Sequence, residues 1–164
     1  MATPPIVEKR RTVAAILIVA AIWFGMLIGV SFLATPAKFL ATSLTMPVAL
    51  DIGHHTFAIF NKVEWLLAIV LLLTVLAGHR TWLGMGLALL AILLVAAETF
   101  WLLPLLDQRV AVIIAGQQPP PSELHNLYVA CETAKSLVLI LVIVIAARRL
   151  AASADAYAAG SSAR

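Results

Sequence analysis

The sequence predicts an all-α integral membrane protein, a four-helix transmembrane bundle with short amphipathic helices in its first outer connection. Two observations carry this. Of 164 residues, 63% are hydrophobic and only 12% charged, with mean hydropathy +1.04, against about 45–50% apolar and 25% charged in a water-soluble domain. The apolar residues also gather into four stretches of helical membrane-crossing length, and a bilayer is the solvent that tolerates such stretches. A soluble globular fold is excluded.

The first span covers residues 13–33, an uncharged run after Glu8-Lys9-Arg10-Arg11. It is longer than the apolar core of a secretory signal, so it reads as a retained anchor. Residues 65–77 are too short to cross about 30 Å of hydrocarbon at 1.5 Å per residue. The second span therefore starts near Phe57 and runs to Gly78, taking Asn61, Lys62 and Glu64 towards the membrane.

Gly78-His79-Arg80-Thr81 leaves room only for a tight turn, which makes spans two and three an antiparallel hairpin. Span three covers residues 82–103 and is expected to stop at Pro104. A loop with the run Pro119-Pro120-Pro121 follows. Span four covers residues 126–147 and is stopped by Arg148-Arg149. Residues 1–12 read as a basic cytoplasmic segment and 148–164, rich in Ala and Ser, as a disordered cytoplasmic tail.

Four spans put both termini on one side. Lys9, Arg10, Arg11, Arg80, Arg148, Arg149 and Arg164 share that side, against Lys38, Lys62 and Arg109 on the other. Basic residues favour the cytoplasm, so the termini are expected inside, in a bacterial inner or plasma membrane. The net charge of +3 is a topology signal rather than a nucleic-acid footprint. The bilayer is the expected partner, with a homo-oligomer or second membrane subunit compatible with so small a bundle. The lone Cys131 forms no intrachain disulfide.

Counted along each helix from the cytoplasmic end, Glu64, Glu98 and Glu132 all fall about 21–24 Å from that boundary. Three carboxylates from three helices share one depth. Lipid-facing carboxylates there are costly, so they should point inward. On span four, His125, Tyr128, Glu132 and Lys135 follow an i, i+3, i+7, i+10 pattern and form one polar face. Lys38, His54, His55, Asn61 and Lys62 arrive at the same level. The expectation is a polar ligand-binding pocket in the outer half, made by Glu64, Glu98, Glu132, Lys135, His125, Tyr128, Asn61 and Lys38, water-accessible and roofed by the outer loops. The alternative is interhelical glue, in which these groups satisfy one another and hold the bundle in register.

Glutamates with histidines are also metal donors, yet the Glu-x-x-His pairs of carboxylate-bridged di-iron bundles are missing: Leu67, Trp101 and Lys135 stand three residues after the glutamates. No nucleophile elbow, phosphate loop, HExxH or CxxC occurs. The residues thus name no catalytic group, metal or cofactor. Gly25-x-x-x-Gly29 reads as close intramolecular helix packing.

Gly29-Val30-Ser31-Phe32 with Pro36-x-x-Phe39-Leu40, Phe57-x-x-Phe60-Asn61, and His125-Asn126-Leu127-Tyr128 occur in an order that resembles the four-span transmembrane protein 205-like family, largely of unknown function. That resemblance covers most of the chain and implies a polytopic membrane protein, with no catalytic residues to carry over. Pro36 and Phe60-Asn61 also resemble small four-span anthrone-oxygenase-like proteins. That second likeness implies oxidation of an aromatic substrate in a membrane pocket and supplies an enzyme alternative to a binding or transport-type protein.

Overall fold

A computed structural model describes residues 5–78 and 81–162, with side chains described for 10–78 and 81–154. The described residues are mostly helical, with no strand among them. In order they form α1 (Pro5–Leu27), a π-helical segment (Ile28–Ala34), α2 (Thr35–Lys38), α3 (Met46–Ala77), α4 (Trp82–Ala97), a second π-helical segment (Glu98–Leu102), α5 (Leu103–Ile114) and α6 (Leu124–Ser162). Four long apolar helical stretches result, Arg10–Lys38, Met46–Ala77, Trp82–Ile114 and Leu124–Ala154. This is the all-α four-span bundle of a multi-pass membrane protein.

Around the bundle, α1 packs on α3 and α6, and α4 packs on the same two helices. The ring encloses a core of Ala20, Trp23 and Leu27 from α1, Ala68 and Leu71 from α3, Ala91 and Val95 from α4, and Leu139 from α6. The perimeter is apolar too, with Ile18, Leu73, Leu93 and Leu137 more than half exposed. Exposed aliphatic residues on every helix are what a protein dissolved in lipid needs.

Several helices are longer than expected. α3 begins at Met46 rather than near Phe57, with Pro47 in its first turn, where a missing N–H costs nothing. Asp51, His54, His55 and Thr56 interrupt the apolar signal without interrupting the helix. The helical segments of the first connection therefore continue the spans, leaving only residues 39–45 between them. Past residue 147, α6 runs on to Ser162 where disorder was expected. Its alanine-rich sequence is a strong helix former, and extending an existing helix needs no new nucleus. At the other end, residues 5–12 form the first turns of α1 rather than a separate segment. His79 and Arg80, at the tight turn, lie outside the described residues.

Pro104 does not end the third span. It sits in the first turn of α5, directly after the π-helical segment, whose closing Leu103 N–H bonds to the Glu98 carbonyl five residues back. The wider turn accommodates a residue with no N–H to give and a ring that crowds the preceding carbonyls. The first span repeats the device: Thr35 N–H bonds to Val30 O, and Pro36 follows. α5 stops instead at Gly116, whose φ of 78° favours glycine, with Gln117 N–H closing on Val112 O.

Gly25 and Gly29 do not serve intramolecular packing, since a Cβ at either would meet nothing within 4 Å. Gly78 does make a close approach: a Cβ there would stand 2.9 Å from Thr12 Cγ2. Gly78, at the end of α3, thus lies directly against the start of the first span.

Candidate functional site

Four charged side chains meet inside the bundle. Lys135 Nζ donates to Glu64 Oε1 at 2.6 Å, to Glu98 Oε2 at 2.5 Å and to Glu132 Oε1 at 2.8 Å. All four residues are at most 1% exposed. Carboxylate oxygens of the three glutamates lie within 4.8 Å of one another, the arrangement of a three-carboxylate cation site, and the lysine ammonium sits among them as the cation.

The helices explain the convergence. Glu64 lies 14 residues before Gly78 on α3, and Glu98 lies 16 after Trp82 on the antiparallel α4, so equal rise brings both to one level. On α6, Glu132 and Lys135 are three apart and face the same way. On the third stretch the centre lies at mid-length, Glu98 being equally far from Trp82 and Ile114, whereas on the fourth it lies nearer the loop, Glu132 standing eight residues after Leu124. Longer helices than expected thus enclose it on the loop side as well.

Each ammonium proton has an acceptor, but the carboxylates are not all satisfied. Trp23 Nε1–H donates to Glu64 Oε1 at 3.0 Å, while Glu98 Oε1 and Glu132 Oε2 are buried without a hydrogen-bond partner. Such orphaned acceptors are rare in native interiors and mark a site where a water, ion or proton belongs. Three carboxylates against one ammonium leave two negative charges uncompensated when all four groups are ionised. In a low-dielectric core that imbalance is costly.

A second polar network adjoins the centre. Thr99, in the π-helical segment next to Glu98, receives Trp65 Nε1–H at 2.9 Å and donates to Asn61 Oδ1 at 2.9 Å or to Val95 O at 2.7 Å. A hydroxyl has one proton for those two acceptors, and Asn61 Nδ2 is left without a partner. The widened turn at Glu98 places both networks side by side, in keeping with the frequent occurrence of π-bulges at functional sites.

Of the expected site residues, Glu64, Glu98, Glu132 and Lys135 come together. Tyr128 is buried one turn from Glu132 and stacks edge-on against Phe57. Asn61 is buried but bonds to Thr99 rather than to the charged centre. His125 is exposed at the start of α6. Lys38 is half-buried, its Nζ against Gly53 and 5.2 Å from the Phe39 ring, and it has no ion pair among the described residues. The cluster is closed in place of the expected water-accessible pocket, since Lys135 fills the space between the carboxylates.

Trp23, Thr99 and Trp65 were missed by sequence reasoning, because an indole or hydroxyl in an apolar run does not disturb hydropathy. So was the contact of His54 Nδ1 with Asp107 Oδ1 at 2.7 Å, which ties the start of α3 to α5.

The family model described as "Domain of unknown function (DUF4149)" matches residues 18–111, more than half of the chain. The chain belongs to the DUF4149 family. No curated protein and no solved structure matches it. The DUF4149 match includes Trp23, Glu64, Asn61 and Glu98 and stops before α6, so Glu132 and Lys135 lie beyond it. A DUF4149 protein here is a polytopic membrane protein whose charged centre is completed by the helix outside the family match.

Proposed function

We propose that this DUF4149 protein binds a small cation, with the proton foremost, at the centre formed by Glu64, Glu98, Glu132 and Lys135. One observation carries the reading: two carboxylate oxygens, Glu98 Oε1 and Glu132 Oε2, are buried without partners beside a single ammonium. Protons or a divalent ion would supply the missing positive charge and occupy those oxygens. The tight enclosure favours a small cation over a lipid headgroup or a larger polar ligand. Ionisable groups inside a membrane protein are by default functional, and a role in transport or regulation follows from cation uptake at such a depth.

The placement of the bilayer belongs to the same proposal. Trp82 is 96% exposed and Trp101 53% exposed, and the 19 helical steps from one to the other rise about 28 Å, close to the hydrocarbon thickness that interfacial tryptophans bracket. With Trp101 at the outer boundary, Glu98 lies one turn inside it. Cytoplasmic termini follow from the basic-residue bias, with a bacterial inner or plasma membrane as the proposed setting. Kinship with the transmembrane protein 205-like family, and association with a second copy or a membrane partner, complete the reading.

The test uses purified protein in nanodiscs, titrated with acid and with divalent metals. Thermal unfolding and the infrared carboxyl bands are followed for the wild type, Glu98→Gln and Glu132→Gln. Cation-dependent stabilisation and a carboxyl band change, lost in both variants, are expected. No cation effect, with both variants simply less stable, would leave an interhelical structural role.

A further inference from the structure

The two ends of the bundle axis differ on either side of the charged centre. Away from the loops the axis is filled by Ala20, Ala68, Ala91 and Leu139, each at most 1% exposed, and Ser136, the polar residue after Lys135, donates its proton to the Glu132 backbone carbonyl. Towards the loops, the residues four positions on from Trp23, Glu64, Glu98 and Glu132 are Leu27, Phe60, Leu102 and Tyr128, each at most 6% exposed. Three of these are apolar, and Tyr128 brings a hydroxyl. One face of α6 thus runs from water to the centre: His125 is exposed, Tyr128 is 6% exposed, Glu132 1% and Lys135 0%. The Tyr128 hydroxyl comes beside the Glu132 carboxyl, whose Oε2 has no hydrogen-bond partner. Phe57 holds the tyrosine ring edge-on, with 5.2 Å between ring centroids.

We propose that Tyr128 is the proton relay of the charged centre, and that protons enter and leave it from the loop side, past His125. The inference rests on the reading of the centre as a proton site and adds its route and its side. A phenol hydroxyl both accepts and donates. An O–H bond of a hydronium ion breaks as a new one forms on the Tyr128 oxygen; the original phenol O–H breaks, and its proton ends on Glu132 Oε2. Water, a neutral phenol and a neutral carboxyl remain. Besides Glu132 on its own helix, Tyr128 faces Glu98 of the π-helical segment and Glu64 of α3, with the Lys135 ammonium bonded to all three. A proton delivered at Glu132 therefore arrives next to the other two carboxylates. Asn61, three residues from Glu64, does not offer the same route, because its Oδ1 is held by Thr99 and its amide nitrogen only donates.

The experiment takes the full chain in phosphatidylcholine nanodiscs through a pH jump and follows in time the infrared carboxyl band that Glu132→Gln removes. Wild type, Tyr128→Phe and Leu139→Met are compared. Tyr128→Phe is expected to reach the wild-type amplitude tenfold or more slowly, with thermal unfolding unchanged, while Leu139→Met, on the opposite side of the centre, keeps the wild-type rate. A wild-type rate in Tyr128→Phe, or slowing in Leu139→Met alone, would overturn the relay. So would a loss of amplitude and of thermal stability together with rate in Tyr128→Phe, the mark of a merely structural tyrosine. No band change in the wild type would instead overturn the reading of the centre as a proton site, and the relay with it. Should Tyr128→Phe fail to fold, Phe57→Leu decides, because it keeps the hydroxyl but frees the ring: slowing at unchanged amplitude supports the relay, and an unchanged rate overturns it.

Discussion

The Lys135 ammonium and the Glu98 carboxylate meet at 2.5 Å across 37 residues of chain, both wholly buried. Neither is tolerable there alone. Their pairing joins α6, which lies outside the DUF4149 match, to the π-helical segment that closes α4.

Removing Lys135 should therefore be the most damaging single change in the centre. Lys135→Met leaves three buried carboxylates without a counter-charge, a loss of about 3–5 kcal/mol, whereas Glu98→Gln costs less because the ammonium keeps two partners. Adding Glu98→Gln to Lys135→Met should recover part of the loss, since coupled sites are not additive. Denaturant unfolding in micelles, followed by circular dichroism, reads all three; additive effects would contradict the geometry.

Trp23→Phe keeps the ring in the core but withdraws the N–H from Glu64, which it donates at 3.0 Å. Hydrogen bonds to charged groups contribute about 1.5–3 kcal/mol, so the variant should be destabilised by that amount. In Glu64→Gln the same substitution should cost less. An equal cost in both backgrounds would show that Trp23 acts by packing alone.

Deleting Phe100, which is exposed, should convert the wide turn at Glu98–Leu102 to ordinary α-helix without turning α5, because the bond from Leu103 N–H to the Glu98 carbonyl then spans four residues instead of five. Asp107 would stay beside His54, 2.7 Å away in the intact chain. In a Cys131→Ser background, cysteines at 54 and 107 should cross-link with a short bifunctional reagent both with and without the deletion. Loss of the cross-link on deletion would mean that the π-turn does not absorb one extra residue.

Orientation is checked by reporter fusions after Arg80 and within residues 117–122. Opposite compartments are expected, with the first cytoplasmic; one compartment for both would refute the four-span topology.

Composition and hydropathy alone determined the membrane class, the number of spans and the shared depth of Glu64, Glu98 and Glu132, because bilayer thickness turns residue counts into depths. The same periodicity marked Glu132 and Lys135 as one face. Helix ends were not legible: Pro104 and the polar residues near His54 resemble breaks, yet a π-turn accommodates the proline and tertiary contacts carry α3 and α5 past the apolar segments. Nor could spacing show that Lys135 fills the space between the carboxylates, that Trp23 supplies a donor, or that His125 and Lys38 stay apart. Those depend on how the four helices rotate about their axes, which side-chain packing decides and the linear order of residues does not.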